Sequence, residues 1–434
     1  MKSRMVWLLA AMVSVLCAAG VQADEVADLK KQVTKQEKQI SDLKQKVDRI
    51  ETAKKAEAKP VSGEDKKADA KKDSGLPDSL KWAQNISWFG DIRLRYDRLE
   101  KEGSPDRDRN RFRLRAGLAA KVNDEWDASM RLTTDEGWEG GDPVSGNQSM
   151  DGAFSKKQIW LDMAYVQYHP KAVQGLNVVA GKMEMPFYKA GKNQLIWDVD
   201  LTLEGGAINY THSLSKQTKV TVTGGGFWIA ENAADLDPAL FGLQGYLQQG
   251  LSGGSSLIGG ASYYSFMHIK NYSALNKEWN STAANNWFGN NRTAGNRFAS
   301  DYDVLEIFGE FSTKVGKLPV SAFGSYVINT TIAEGLNEDT GWLIGVKLNK
   351  AAAPRSWELG YDYRDVGADA LVGQFNENES YGGGTDGKGH KVNFVYQVAK
   401  NVQAGLTYYA QQLTRPPADL NYNRIQADVM VRFK

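Results

Sequence analysis

One cysteine and four histidines in 434 residues leave little room for thiol or imidazole chemistry. The cysteine, Cys17, falls inside an apolar N-terminal run, so the chain beyond it has none, which excludes disulfides and thiolate metal sites there. His169, His212, His268 and His390 each stand in a turn or loop context, and neither Gly-x-Ser-x-Gly nor His-Glu-x-x-His occurs. His212 and Ser213 are adjacent, but neighbours on a strand point apart. A hydrolase would need a serine and a histidine from different strands, and that is the minor alternative. Tyr381–Gly389, with Asp386, is rich in glycine but lacks the ligand spacing of a calcium loop and reads as a surface loop. No catalytic residue, metal, cofactor or nucleic-acid partner is expected. Long hydrophobic runs are missing too. Beyond residue 23 nothing approaches the roughly 18 consecutive apolar residues of a membrane helix. If this chain spans a membrane, it does so with strands.

What is present begins with a secretory pattern over 1–23. Lys2 and Arg4 precede the apolar run Val6–Leu16, and Val21-Gln22-Ala23 is a small-x-small cleavage site. A lipoprotein signal at Cys17 is the alternative, but Leu16 stands where a small residue is wanted. Residues 24–53 then change to a period of seven, with Val26, Val33, Ile40 and Val47 at one seam position and Leu29, Gln36, Leu43 and Ile50 at the other. Such a seam is satisfied by partner helices, two or three in number, or by folding back onto its own protein. Residues 54–81, rich in Lys, Ala, Asp and Glu, cannot bury a core and read as a flexible charged linker.

From residue 82 to 434 the period is two. In the first hairpin Gly90, Ile92, Leu94 and Tyr96 alternate with Asp91, Arg93, Arg95 and Asp97. Its second strand sets Phe112, Leu114, Ala116 and Leu118 against Arg111, Arg113 and Arg115. One face is oily and the other is a ladder of guanidinium groups. A soluble sandwich would bury the oily face, whereas a membrane barrel would turn it to lipid and the arginines to a wet lumen.

Continuation decides between these readings. Candidate strands lie near 86–99, 109–122, 125–134, 157–168, 174–184, 205–212, 217–229, 238–249, 254–266, 301–314, 318–328, 340–349, 355–366, 389–398, 401–412 and 422–433. Short links alternate with long polar ones, the signature of an up-and-down meander with turns at one rim and loops at the other. Each candidate runs to about ten residues, enough for a tilted strand to cross the hydrocarbon, whereas ordinary strands centre near five or six. One face stays polar, as in Glu358, Gly360, Asp362 and Arg364, while Trp357, Leu359, Tyr361 and Tyr363 occupy the other. Mean hydropathy is accordingly negative. Trp88, Trp126, Trp342 and Trp357 near strand ends fit interfacial girdles. The expected fold is all-β, a transmembrane antiparallel up-and-down barrel of about 16 strands, preceded by an N-terminal coiled-coil helix.

Several segments carry a family resemblance: Phe89-Gly90-Asp91-Ile92-Arg93-Leu94-Arg95, Arg111-Phe112-Arg113-Leu114-Arg115, and Gly181-Lys182-Met183-Glu184-Met185-Pro186-Phe187 followed by Trp197-Asp198 and Glu204-Gly205. With the terminal strand through Phe433, they resemble a family of bacterial outer-membrane porins related to the phosphate-selective group. Lys434 after that aromatic departs from the usual terminal signal. The resemblance implies a sixteen-stranded trimeric channel in the outer membrane for passive diffusion of ions and small hydrophilic solutes, in contact with lipid and lipopolysaccharide. Its N-terminal segment would stand in the periplasm. Arg93, Arg95, Arg111, Arg113 and Arg115 would line the pore. The segment Met185–Glu204 would fold into the lumen, where Asp198, Asp200 and Glu204, with Glu184 at its base, could face the ladder or else sit solvated at the rim. An envelope tether reaching through the periplasm is the other non-catalytic reading.

Overall fold

The computed structural model describes residues 83–136, 141–231, 233, 236–273, 288–414 and 419–434. The expected signal segment (1–23), heptad helix (24–53) and linker (54–81) lie outside the described residues. Sixteen barrel strands follow in chain order: β1 (Ile86–Lys101), β2 (Arg107–Lys121), β3 (Trp126–Thr134), β4 (Ile159–Tyr168), β5 (Leu176–Glu184), β6 (Thr202–Ser213), β7 (Thr218–Trp228) and β8 (Ala239–Gly250). The second half comprises β9 (Ser256–Met267), β10 (Tyr302–Val315), β11 (Leu318–Asn329), β12 (Thr340–Asn349), β13 (Trp357–Val366), β14 (Gly387–Ala399), β15 (Val402–Leu413) and β16 (Leu420–Phe433). Each strand pairs antiparallel with the next. β16 returns to β1, from Phe433 opposite Gly90 to Tyr422 opposite Lys101, so the sheet closes without a free edge. A two-residue strand, Gln148–Ser149, lies in the loop after β3 and pairs with Arg111 and Phe112.

Local chemistry explains the tight rim. Asn123 Oδ1 accepts the N–H groups of Glu125 and Trp126 at 2.9 and 3.0 Å, turning β2 into β3. Gly316 at φ +63° begins the two-residue turn between the paired Val315 and Leu318. The opposite rim carries longer segments, among them 135–158, 185–201, 268–301 and 367–386.

Burial runs opposite to that of a soluble protein. Ile92 and Leu94 are 44% and 50% exposed, while Arg93 and Arg95 between and beside them are 7% and 8% exposed. Arginine facing lipid at mid-membrane costs about 2–4 kcal/mol in a barrel, so five outward arginines would cost on the order of 10–20 kcal/mol. That matches or exceeds the roughly 5–15 kcal/mol holding an ordinary domain together. The arginines face the lumen and the leucines face outward. Trp88, Trp126 and Trp228 project outward at strand ends, as a girdle requires. The apolar core lies inside the barrel, where the segment 185–201 packs against the inner faces of β7 to β12.

Candidate functional site

The ladder is set by the register of the first hairpin, which places Arg93 opposite Arg113, Arg95 opposite Arg111, and Asp91 opposite Arg115. Like charges directly opposite repel, so acids must be interleaved. Arg113 donates to Asp91 from Nε and Nη2 at 3.1 and 2.8 Å, and from Nη1 to Asp200 at 3.1 Å. Arg115 Nη2 lies 2.8 Å from the same Asp200 oxygen. Arg95 grips Asp428 with Nε and Nη2 at 2.7 and 2.8 Å and donates from Nη1 to Glu379 at 2.7 Å. Arg111 reaches Glu136 at 3.1 Å. Arg93 is held instead by an amide, Asn147 Oδ1, at 2.6 Å.

Opposite this charged wall the inner barrel is aromatic, and the segment 185–201 is fixed against it. The Phe187 ring fills the space left by Gly242, where a Cβ would stand 2.3 Å from it. Gly191, at φ +58°, sits so close to Phe323 that a Cβ would lie 2.2 Å from the ring. Tyr188 Oη and the Gly191 N–H both donate to Glu310, at 2.6 and 2.7 Å. Lys347 Nζ donates to the Gly191 carbonyl at 2.6 Å, and Trp197 meets Tyr264 edge to face at 5.1 Å. An aromatic base and a charged anchor thus present the end of this loop to the arginines.

The four acids expected at its edge separate. Asp200 meets the ladder; burial pushes its carboxyl up, but Arg115, Arg113 and Arg93 outweigh that and hold it far below the usual carboxylate range. Asp198 is buried behind it and accepts the N–H groups of Asp200 and Asn378 at 2.7 and 3.0 Å. Burial and the Asp200 charge push its carboxyl well above the usual range. Glu184 is exposed and pairs with Arg131 at 2.9 Å. Glu204 pairs with Lys182 at 2.8 Å on the strand face that carries the exposed Ile208, away from the ladder. Of these four acids, Asp200 is the one that meets the ladder.

A water-accessible cavity of about 320 Å³ remains between wall and loop, lined among others by Arg93, Arg95, Lys192, Asp200, Lys391 and Asp428. Its lining is charged, with cations and acids facing one another. A family model described as "Putative porin" matches residues 100–301 and 319–433. The chain belongs to this porin family. It is an outer-membrane channel for solute diffusion, and family and fold point to a channel rather than an enzyme. Among solved structures, Pseudomonas putida OprB is similar at 11% identity and TM-score 0.51, over 82% of this chain and 96% of that one. The channel DcaP of Acinetobacter baumannii shows 13% identity and TM-score 0.45, over 80% and 97%. A mutant of the Rh. blastica porin shows 12% and 0.43, over 80% and 100%. No curated protein matches.

Other charges of the porin's lumen are not marked as ladder partners by sequence. Asp91 and Asp428 share the legible inward faces of β1 and β16, so alternation alone could have paired them with the arginines. Glu377 and Glu379 lie in the segment 367–386, where no period marks them.

Proposed function

We propose that ions and small hydrophilic solutes cross this porin between the ladder Arg93, Arg95, Arg111, Arg113 and Arg115 and the in-folded loop, and that these groups set ion preference. The observation that carries the reading is Asp200, an acid on the loop shared by Arg113 and Arg115 on the wall. Charges of opposite sign fixed a few ångströms apart orient a dipolar solute and filter an ion. Planar-bilayer recordings in a salt gradient test it. Changing Arg111, Arg113 and Arg115 together to Gln shifts the reversal potential toward cation preference, and Asp200→Asn shifts it toward anions. Identical reversal potentials in wild type and both variants would remove the ladder from the conducting path.

The rest of the chain supports a fuller assignment. Residues 1–23 direct export, 24–53 form a periplasmic coiled coil that holds a homotrimer, and 54–81 link it to the barrel at 82–434. The outward apolar faces contact lipid and lipopolysaccharide. The heptad seam also favours a second role as an envelope tether, and deleting residues 24–80 separates the two: channel conductance persists while envelope integrity falls only if tethering is real.

A further inference from the structure

The segment 367–386, between β13 and β14, also folds into the lumen and is bolted to the first loop. The Asp198 N–H donates to the Phe375 carbonyl at 2.8 Å, and Asn376 Nδ2 to the Leu195 carbonyl at 2.9 Å. The Asn378 N–H returns to Asp198 at 3.0 Å, and Gln194 Nε2 reaches Glu377 at 3.2 Å. The far side of the second loop is tied to the wall. Glu377 is buried between Arg364 and Lys391 and accepts the Ser380 hydroxyl at 3.0 Å. Glu379 accepts from Arg95 at 2.7 Å, and its carbonyl accepts the Tyr422 hydroxyl at 3.1 Å.

This unit stands where the lumen divides. A second cavity, about 290 Å³, is lined by Arg109, Arg111, Glu136, Asn376, Asn378 and Arg424. Along β16 the two cavities part between Arg424, which lines this one, and Gln426 and Asp428, which line the first. On β1 they part between Leu99 and Arg95. The loop contributes residues to both, Glu377 and Glu379 to the first and Asn376 and Asn378 to the second. The two acids differ in setting. Glu377 has its side chain almost wholly enclosed by its two cations, whereas Glu379 keeps 13% of its side chain exposed beside Arg95.

We propose that the narrowest part of the channel is built by two loops, not one, and that Glu379 is a specificity-determining residue there, the acid that offsets Arg95 in the solute's path. This rests on the channel reading. Glu377 is the positioning residue that clamps the second loop to the wall.

Bilayer recordings of the full mature protein test it. In Glu379→Gln, Arg95 keeps only its Asp428 partner and the reversal potential moves toward anions; Glu379→Asp restores the wild-type value. Replacing residues 376–384 with a Gly-Ser linker raises single-channel conductance several-fold, in a barrel whose folding is confirmed by heat modifiability. An unchanged reversal potential in Glu379→Gln, or unchanged conductance after loop replacement, overturns the inference while wild-type conduction still upholds the channel. A wild-type protein that conducts nothing overturns both.

Discussion

Arg113 and Leu114 are neighbours in the chain and sit in different solvents. The guanidinium is buried among Asp91 and Asp200, while Leu114 lies on the outer face of the barrel. Leu114→Arg puts a charge into hydrocarbon, for about 2–4 kcal/mol if it lies near the midplane. The expected result is a lowered yield of heat-modifiable barrel, read on unheated gels; wild-type yield would mean the face is covered by something other than lipid. Residues on strands were legible for this reason, because alternation assigns every side chain to one solvent or the other. Asp198 and Asp200 show where that stops. They are two residues apart and chemically identical, yet one takes the Asn378 backbone N–H and the other takes two arginines. The partner that separates them comes from a loop far along the chain, and no local pattern encodes it.

The strands follow the hydrophobic period closely. Expected bounds of 340–349 coincide with β12, and β14 was expected at 389–398 against an observed Gly387–Ala399. Loops carry no such period, since their backbone groups are satisfied one by one through long-range contacts. The family resemblance implies an inward segment over Met185–Glu204, and the observed one spans 185–201. Tyr381–Gly389 reads from sequence as a surface loop, but Tyr381, Thr385 and Asp386 are buried because they belong to the segment 367–386, which packs inside the barrel. The clamp on that segment gives a pH dependence. Burial pushes the Glu377 carboxyl up, but Arg364 and Lys391 outweigh it and bring it from 4.5 down to about 2. A carboxyl depressed by folding stabilises above its ordinary value and loses that contribution as pH falls through its folded value. The contribution of Glu377 to holding the loop is therefore complete above about pH 4.5 and lost toward pH 2. Conductance recorded across that range should rise in wild type as the loop loosens, and the rise should be lost in Glu377→Gln, whose amide does not titrate. A rise that persists in the variant would place the titrating group elsewhere.

At the scale of the whole barrel, closure of β16 onto β1 leaves an oily outer face around a charged lumen. Both the even strand number and the closing strand were legible, because the terminal segment repeats the alternation of the first. The heptad pattern over Val26–Ile50 belongs to this scale as well, since the coiled coil proposed for it would be satisfied by partner helices. Ile40→Asp with Leu43→Asp should lower the temperature at which the oligomer dissociates on gels while the barrel itself remains heat-modifiable. Unchanged oligomer stability would mean the seam packs elsewhere.

The central claim is that water and ions run past the arginine face and lipid covers the other. Beyond Cys17 the chain has no cysteine, so single cysteines placed in the barrel report their own surroundings. Arg93→Cys and Arg111→Cys should react with a bulky, membrane-impermeant thiol reagent during bilayer recording, and the current should fall stepwise. Leu94→Cys and Leu114→Cys should neither react nor change the current. Block at Leu94 or Leu114 with none at Arg93 or Arg111 would contradict the account outright.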